Sequence, residues 1–417
     1  MGQANVHRWA DDILPLLTDE DPVGADALAT TTSPRPTPPR RTAVAGVGAV
    51  VARVRGLVSV GHRAVPPVFT GYWQVWHARG FRGDTQGMPT TEKNHTSPLR
   101  GQSALVTGAS RGLGLMIARE LAQRGCRLLI CARDGEALER AAEDLRTYGV
   151  PVHALACDLT AADTPERLMV AAAEHMGGID LLVNNAGVIQ VGPLDAMAED
   201  DFRSAMETMF FAPLRLVLAA VPLMRGRGDC RIVDVTSIGG RIAAPHLLPY
   251  AAAKFAATGL SEGLRAELAP ANIAVTTVVP GLMRTGSHGA ARFSGQAGQE
   301  YAWFATAASL PLLSMDGERA ARAIVRAAER KRPEIVLTPA AKAAVWAHGL
   351  APATTVRALT LANRLLPEPG PTPQHDVPGT GAARSLGSRA VGLLTVLGDR
   401  AARRTNEPGG QADPSSV

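Results

Sequence analysis

From Leu99 to Leu337, short apolar, β-rich runs alternate with stretches whose apolar residues recur at helical spacing. The runs Ala104–Thr107, Arg127–Ala132, Val152–Cys157, Asp180–Asn184, Arg231–Thr236, Ile273–Val279 and Glu334–Leu337 read as strands. Between them, Leu113–Arg124, Glu136–Tyr148, Pro165–Met176, Asp200–Arg225, Tyr250–Leu268 and Gly317–Arg330 read as helices. Strands separated by helices predict βαβ units and a parallel sheet covered on both faces. Right-handed crossovers make that sheet doubly wound. The expected class is α/β, a doubly wound parallel sheet over residues 98–338 with N- and C-terminal extensions.

The extensions carry other patterns. Residues 1–97 read as a partly disordered N-terminal extension, with Ser33-Pro34-Arg35-Pro36-Thr37-Pro38-Pro39 as a flexible or polyproline linker. Ala43–Val60 fits a glycine-weakened helix with basic residues, lying on a membrane or packed on the core. Asp84–Leu99 is polar and reads as a loop. Past Thr338 a helical pattern resumes over 339–366. Residues 367–417 read as a Pro-rich linker, Pro367–Pro378, and an amphipathic tail. In that tail Arg384–Arg404 places Leu386, Ala390, Leu393, Leu394, Leu397 and Ala401 on one face. This face is expected to dock on its own domain or a second subunit, with a membrane surface as the alternative. No signal peptide opens at Met1, and Ala43–Ala52 is too short to span a bilayer. Arg40-Arg41 starts far from the N-terminus and lacks an obvious Ala-x-Ala cleavage site, so it makes a poor export signal. Met88 is compatible with an internal start.

Composition removes some function classes. The hydrophobic fraction is 46%, enough for a sizeable core, and the net charge is 43 − 38 = +5. The positive charge is almost all arginine, and no basic run is interleaved with aromatics, so nucleic acid is not an expected partner. Cys126, Cys131, Cys157 and Cys230 form no Cys-x-x-Cys and no His/Cys cluster. They read as reduced core residues without a disulfide framework or a metal, which suits the cytoplasm.

Two local patterns carry chemistry. In Pro249-Tyr250-Ala251-Ala252-Ala253-Lys254 the tyrosine and lysine share a helix face. An adjacent ammonium is expected to lower the phenol's pKa and make it a proton donor usable near neutrality. Thr107-Gly108-Ala109-Ser110-Arg111-Gly112-Leu113-Gly114 follows the first strand and opens the first helix. Its glycines allow a sharp turn and close approach to a pyrophosphate, and the helix N-terminus supplies N–H donors. The second strand ends at Arg133, near where an acid would take a free 2′-hydroxyl. Arg111 and Arg133 instead suit a 2′-phosphate, so NADP(H) is expected over NAD(H).

With these residues in place, the span from about Leu99 to Leu337 resembles the short-chain dehydrogenase/reductase family. The resemblance rests on Thr-Gly-x-x-x-Gly-x-Gly, on Asn184-Asn185-Ala186-Gly187, on the Ser237–Tyr250–Lys254 spacing, and on Pro280-Gly281 followed by Thr285. The extended branch's Thr-Gly-x-x-Gly-x-x-Gly is lacking. The resemblance implies a Rossmann fold and assigns roles. Tyr250 would exchange a proton with the substrate oxygen, Ser237 would hold that oxygen, and Lys254 would tune Tyr250 and bind the nicotinamide ribose. Gly108, Ser110, Arg111, Gly112, Leu113, Gly114 and Arg133 would hold the phosphates. Asp158 and Leu159 would meet the adenine, and Asn185, Ala186 and Gly187 would line the ribose side. Pro280, Gly281, Met283 and Thr285 would hold the nicotinamide end. One position departs from the pattern: Met209 stands where the family usually has an asparagine that helps hold a proton-relay water. A slower or rerouted relay is the expected consequence, with Thr208 as a substitute.

The loop after Thr285 carries Phe293, Tyr301, Trp303 and Phe304 and is expected to cover an apolar substrate. Gly286, Gly289, Gly295 and Gly298 would hinge it. The expected function is NADP(H)-dependent interconversion of a ketone or aldehyde with an alcohol. The alternative is a catalytically weak or inactive NADP-binding protein with partner-binding tails. The resemblance implies a homodimer or homotetramer built on Asp200–Arg225 and Tyr250–Leu268. Peripheral membrane contact through the tails is the expected departure from a purely cytoplasmic location.

Overall fold

The computed structural model describes residues 97–311 and 314–407. The expectations for the linker Ser33–Pro39, for Ala43–Val60 and for the disorder of the N-terminal extension therefore lie outside the described residues.

Strand β1 (Ser103–Thr107) leads to α1 (Gly112–Gln123), β2 (Arg127–Ala132), α2 (Gly135–Arg146), β3 (Val152–Ala156), α3 (Thr164–Met176) and β4 (Leu181–Asn184). Next come β5 (Gln190–Val191), α4 (Glu199–Met206), a π-helical turn (Glu207–Phe211), α5 (Ala212–Met224), β6 (Cys230–Val235), α6 (Leu248–Leu268) and β7 (Ile273–Val279). The chain continues through β8 (Leu282–Arg284), β9 (Arg292–Gly295), α7 (Ala297–Ser309), β10 (Ser314–Asp316), α8 (Gly317–Glu329) and β11 (Glu334–Val336). It closes with α9 (Pro339–Leu350), α10 (Pro352–Asn363), β12 (Gln374–Pro378), α11 (Gly379–Leu386) and α12 (Arg389–Arg404).

The main sheet has 7 strands in the order β11-β7-β6-β4-β1-β2-β3, and every pair is parallel. The apolar runs are continuous because both faces are covered: β1 and β6 are buried at every position. One face packs Leu121 of α1, Leu138 and Leu145 of α2 and Ile324 of α8 into a single core. The other packs Leu168 of α3 and Leu216 of α5 against Leu182 and Ile232. The four cysteines are free and buried. The winding reverses between β1 and β4, and doubly wound sheets bind ligands outside the carboxyl ends of the strands at that place.

Beyond β11 the structure corrects three expectations. Pro367–Pro378 is not a linker throughout, because β12 pairs antiparallel with β9 in a second, 3-stranded sheet. Asp376 holds this strap to Arg292 through a bond to Nε at 2.8 Å and a second to Nη2. Pro378 sits at the strand's end, on an edge where no ladder donor is needed. Arg384–Arg404 is likewise two helices, broken where Gly387 takes φ +57. Against its own domain the chain docks by the expected face only at Leu386: Leu394 and Leu397 are 48% and 41% exposed, while Thr395 and Ala402 are 2% and 3% exposed. A Cβ at Gly398 would lie 2.6 Å from Ser309 Oγ, so α12 approaches α7 along small residues rather than leucines.

Candidate active site

Ser237, Tyr250 and Lys254 come together at the carboxyl end of β6. Pro249 lies in the first turn of α6, where its missing N–H costs nothing, and an alanine-rich helix follows. Ser237 extends from β6 and caps a short 3₁₀ turn, its Oγ accepting Gly239 N–H at 3.0 Å. A Cβ at Gly239 would lie 3.1 Å from Tyr250 Cε1, so that glycine leaves room for the ring.

The electrostatics differ from expectation. Lys254 Nζ lies 5.8 Å from the Tyr250 ring centroid and donates to the Val235 carbonyl at 2.8 Å. Burial brings the Lys254 ammonium down to about 8, and the Asp234 carboxylate partly opposes this. Burial also holds the Tyr250 phenol above its ordinary value, with a hydrogen bond from Ser237 pulling the other way. The lysine therefore does not lower the phenol here. Its charge is directed at a backbone carbonyl, and desolvation of a phenolate outweighs what remains.

Sequence reasoning missed Asp234. Its Oδ1 accepts Asn184 Nδ2 at 2.8 Å, and burial raises its pKa against help from Asn184, Ser261 and Lys254. An aspartate inside the apolar run Arg231–Thr236 was the available signal, since a buried acid needs partners. A second missed group is His246, whose Nδ1 pairs with fully buried Glu300 at 2.8 Å. Glu300 also accepts Trp303 Nε1 at 2.7 Å, tying α7 to the segment before Tyr250. No local pattern joins residues so far apart.

Met209 occupies the π-helical turn, 2% exposed, against Ala253 and Tyr250. A Cβ at Gly187 would meet Met209 Sδ at 3.5 Å and Lys254 Nζ at 3.7 Å, so the thioether and the ammonium border the same glycine.

The glycine loop has the geometry of a dinucleotide cradle. Gly108 takes φ +65, and its N–H goes to Cys131 O at 2.9 Å. A Cβ at Gly114 would stand 2.2 Å from Gly108 O, so only glycine closes this turn. Asn185 braces it, Nδ2 donating to Thr107 O at 3.0 Å and its N–H to Thr107 Oγ1 at 2.9 Å. Ala186 N–H shares that hydroxyl at 3.1 Å. Asn185 thus supports the loop with the side chain expected to face a ribose. Ser110 is buried, and Leu113 lies in the first turn of α1. Arg111 pairs with Asp134 at 3.1 Å, whereas Arg133 is exposed and close enough to Asp158 to lower its pKa. Asp158 Oδ1 accepts Thr160 N–H at 2.9 Å at the end of β3, beside half-buried Leu159. The Pro280 carbonyl accepts Ile238 N–H at 2.7 Å, and a Cβ at Gly281 would crowd Thr338 Oγ1 at 2.6 Å. Met283 pairs with Met315, and Thr285 is buried. These residues fit a nicotinamide dinucleotide by shape: a glycine cradle that a side chain would fill, and arginines at the edge of β2.

The expected aromatic lid is a packed satellite core. Phe293, Tyr301 and Phe304 are 0%, 7% and 5% exposed, and Phe293 makes edge contacts with the other rings at 5.6 and 6.0 Å. Gly286 meets Ala402 and Gly295 meets Pro193, so both are close-approach positions rather than free hinges.

Residues 102–293 match the family model for short chain dehydrogenase. The chain is 35% identical over 199 residues to the Rattus norvegicus dehydrogenase/reductase SDR family member 4, covering 48% of this chain and 71% of the relative. It is 34% identical over 269 residues to a dehydrogenase/reductase SDR family protein 7-like from Anopheles gambiae, covering 63% of this chain and 83% of the relative. Among solved structures, L-sorbose reductase of Gluconobacter frateurii, complexed with NADPH and L-sorbose, aligns at TM-score 0.52 and 25% identity over 57% of this chain and 95% of that one. A Burkholderia phymatum short chain dehydrogenase/reductase in complex with NAD aligns at TM-score 0.56 and 26% identity over 60% and 94%. The chain belongs to the short-chain dehydrogenase/reductase family and is an oxidoreductase acting on a CH–OH or carbonyl group with a nicotinamide cofactor.

Proposed function

We propose that this enzyme reduces a ketone or aldehyde with NADPH. The convergence of Ser237, Tyr250 and Lys254 beside the glycine cradle carries the reading. Ser237 holds the substrate oxygen and Tyr250 protonates it. Lys254, kept cationic near neutrality with help from Asp234, holds the nicotinamide ribose, and the Ser237 hydroxyl supplies the hydrogen bond that favours the phenolate left behind. When bound, the dinucleotide supplies the hydride. The 2′-phosphate preference rests on Arg111 and Arg133. Asp134, the acid that follows Arg133, is engaged by Arg111 and by the Ala137 N–H at 3.0 Å. The test is a NADPH- and NADH-consumption screen over steroids, acyl thioesters, quinones and long-chain aldehydes. Turnover with NADPH is expected, and Tyr250→Phe should lose about two to four orders of magnitude. Native-rate turnover by Tyr250→Phe would sink the mechanism.

The alternative, a weak or inactive NADP-binding protein, draws on Met209 at the lysine. Single-turnover oxidation of NADPH separates the two, and Met209→Asn should raise turnover if the missing relay limits the rate.

We place the enzyme in the cytoplasm, with one face on an anionic membrane. The α9–α10 hairpin exposes Trp346, Leu350, Val356, Leu361 and Leu365, and α10 has no buried residue. Residues 339–366 contain Lys342, Arg357 and Arg364 and no acid. Lys342, Trp346 and Leu350 are spaced at four-residue steps, a cation–aromatic–aliphatic stripe suited to an interface. Full-length protein should co-sediment with phosphatidylglycerol vesicles and not with phosphatidylcholine vesicles, and Trp346→Ser/Leu350→Ser should release it. Equal recovery with both vesicle types would remove the idea.

A further inference from the structure

The C-terminal segment comes to rest on the glycine loop. Helix α12 is anchored through Asp399, whose Oδ1 lies 3.1 Å from His288 Nε2. At its end Arg119 Nη1 donates to Arg404 O at 3.2 Å, and Thr405 Oγ1 donates to Thr285 O at 3.1 Å. Thr405 O then accepts the Gly112 N–H at 2.9 Å. Asn406, at φ +60, sends Nδ2 to Ser110 O at 2.9 Å and Ala137 O at 3.1 Å. The Glu407 carboxylate lies on Gly112, where a Cβ would be 2.4 Å from its Oε1. Glu407 is 7% exposed, and its Oε2 has no hydrogen-bond partner among the described residues.

The free N–H groups at the start of a helix that follows a glycine turn are the donors a phosphate takes. Here the Gly112 donor is spent on a tail carbonyl, and an acidic side chain covers the same glycine. A phosphate oxygen and this carboxyl oxygen would occupy the same place on Gly112.

We propose that Thr405–Glu407 are a tethered pseudo-ligand of the dinucleotide phosphate cradle, and that cofactor binds only to molecules whose tail end has lifted. The proposal rests on the reading of the glycine loop as the cofactor site. Burial pushes the Glu407 carboxyl up to about 7 against the pull of Arg111. Together with the orphan oxygen, this marks a contact held at a cost in free energy, and so one a better-matched anion displaces. Competition of this kind lowers apparent cofactor affinity by the fraction of molecules that are open.

Calorimetric titration of NADPH into the full-length protein and into its Asn406→Ala/Glu407→Ala variant is the first arm. The variant should bind about tenfold more tightly, as for an open form about one-tenth populated. Hydrogen exchange of residues 401–407 in the unaltered protein is the second arm and needs no variant to fold. Saturating NADPH should speed exchange there. An unchanged or weaker affinity in the variant overturns the proposal, as does slower exchange of 401–407 with NADPH, the sign of a tail that clasps the cofactor. If neither protein binds NADPH or NADH, the cofactor-site reading itself falls, an outcome distinct from binding that ignores the tail.

Discussion

At the residue scale the site is a contest between burial and charge. Lys254, Asp234 and Tyr250 are all pushed by burial toward their neutral forms, and each is partly held back by a partner. For Lys254 the working form is the ammonium, which the free enzyme loses as pH rises through about 8. Carbonyl-reduction kcat/KM should therefore be level near pH 7 and fall above about 8. Asp234→Asn removes the carboxylate that supports the charge, so its pH profile should break at a lower pH. A break that stays in place would show that Asp234 does not act on the lysine. Glu407 has the opposite sign. Its docked pKa is raised, so docking is fully supported at low pH and weakens as pH rises through about 7. The groups it faces are Arg111, which favours the ionised form, and through that arginine Asp134. The ratio of NADPH dissociation constants, unaltered protein over Asn406→Ala/Glu407→Ala, should shrink between pH 5.5 and 8. Taking the ratio cancels titration of the cofactor's own phosphate.

At the element scale, position matters more than hydrophobicity. Helix α12 was legible as a helix, but its leucines proved a poor guide to its docking face. Thr395, Gly398 and Ala402 make that face because close helix contact needs small side chains. A leucine at Gly398 would collide with Ser309 Oγ and His288 and lift α12. If the tail is held only through this docking, Gly398→Leu should tighten NADPH binding much as the tail substitutions do, with the fold of the sheet unchanged by circular dichroism. Weaker binding would mean that α12 supports the cofactor site. The π-helical turn at Glu207–Phe211 is the other element the sequence did not show. Its extra residue per turn rotates α5 relative to α4 and sets Met209 beside Tyr250.

At the scale of the whole molecule, exposed apolar surface remains on the outer helices. Phe211 at the π-helical turn, Leu218 on α5 and Phe255 on α6 are 40%, 62% and 42% exposed. The stretch Glu199–Met224 is long and apolar enough to cross a bilayer by length and composition. Its inner face packs on the sheet through Leu216, Val217 and Ala220, which suits a subunit interface better than lipid. Homo-oligomerisation through α5 and α6 is our reading of this surface. Sedimentation velocity of Leu218→Glu/Phe255→Glu should show a monomer where the unaltered protein shows a dimer or tetramer. Identical sedimentation would move the interface elsewhere.

Ser237 was reached through the family resemblance, while the α/β class and the positions of Gly108, Gly114, Tyr250 and Lys254 were legible in the chain itself. Each depends on short-range physics: strand and helix periodicity, the glycine a tight turn demands, and the four-residue step that puts two side chains on one helix face. Asp234 beneath the lysine, Glu300 beneath His246, the β12 strap and the tail on Gly112 were decided only by tertiary structure. These contacts join residues tens to hundreds of positions apart, and nothing local in either partner specifies the other. The sign of the tyrosine's shift belongs with them, since it turns on how deeply the phenol is buried and where the ammonium points.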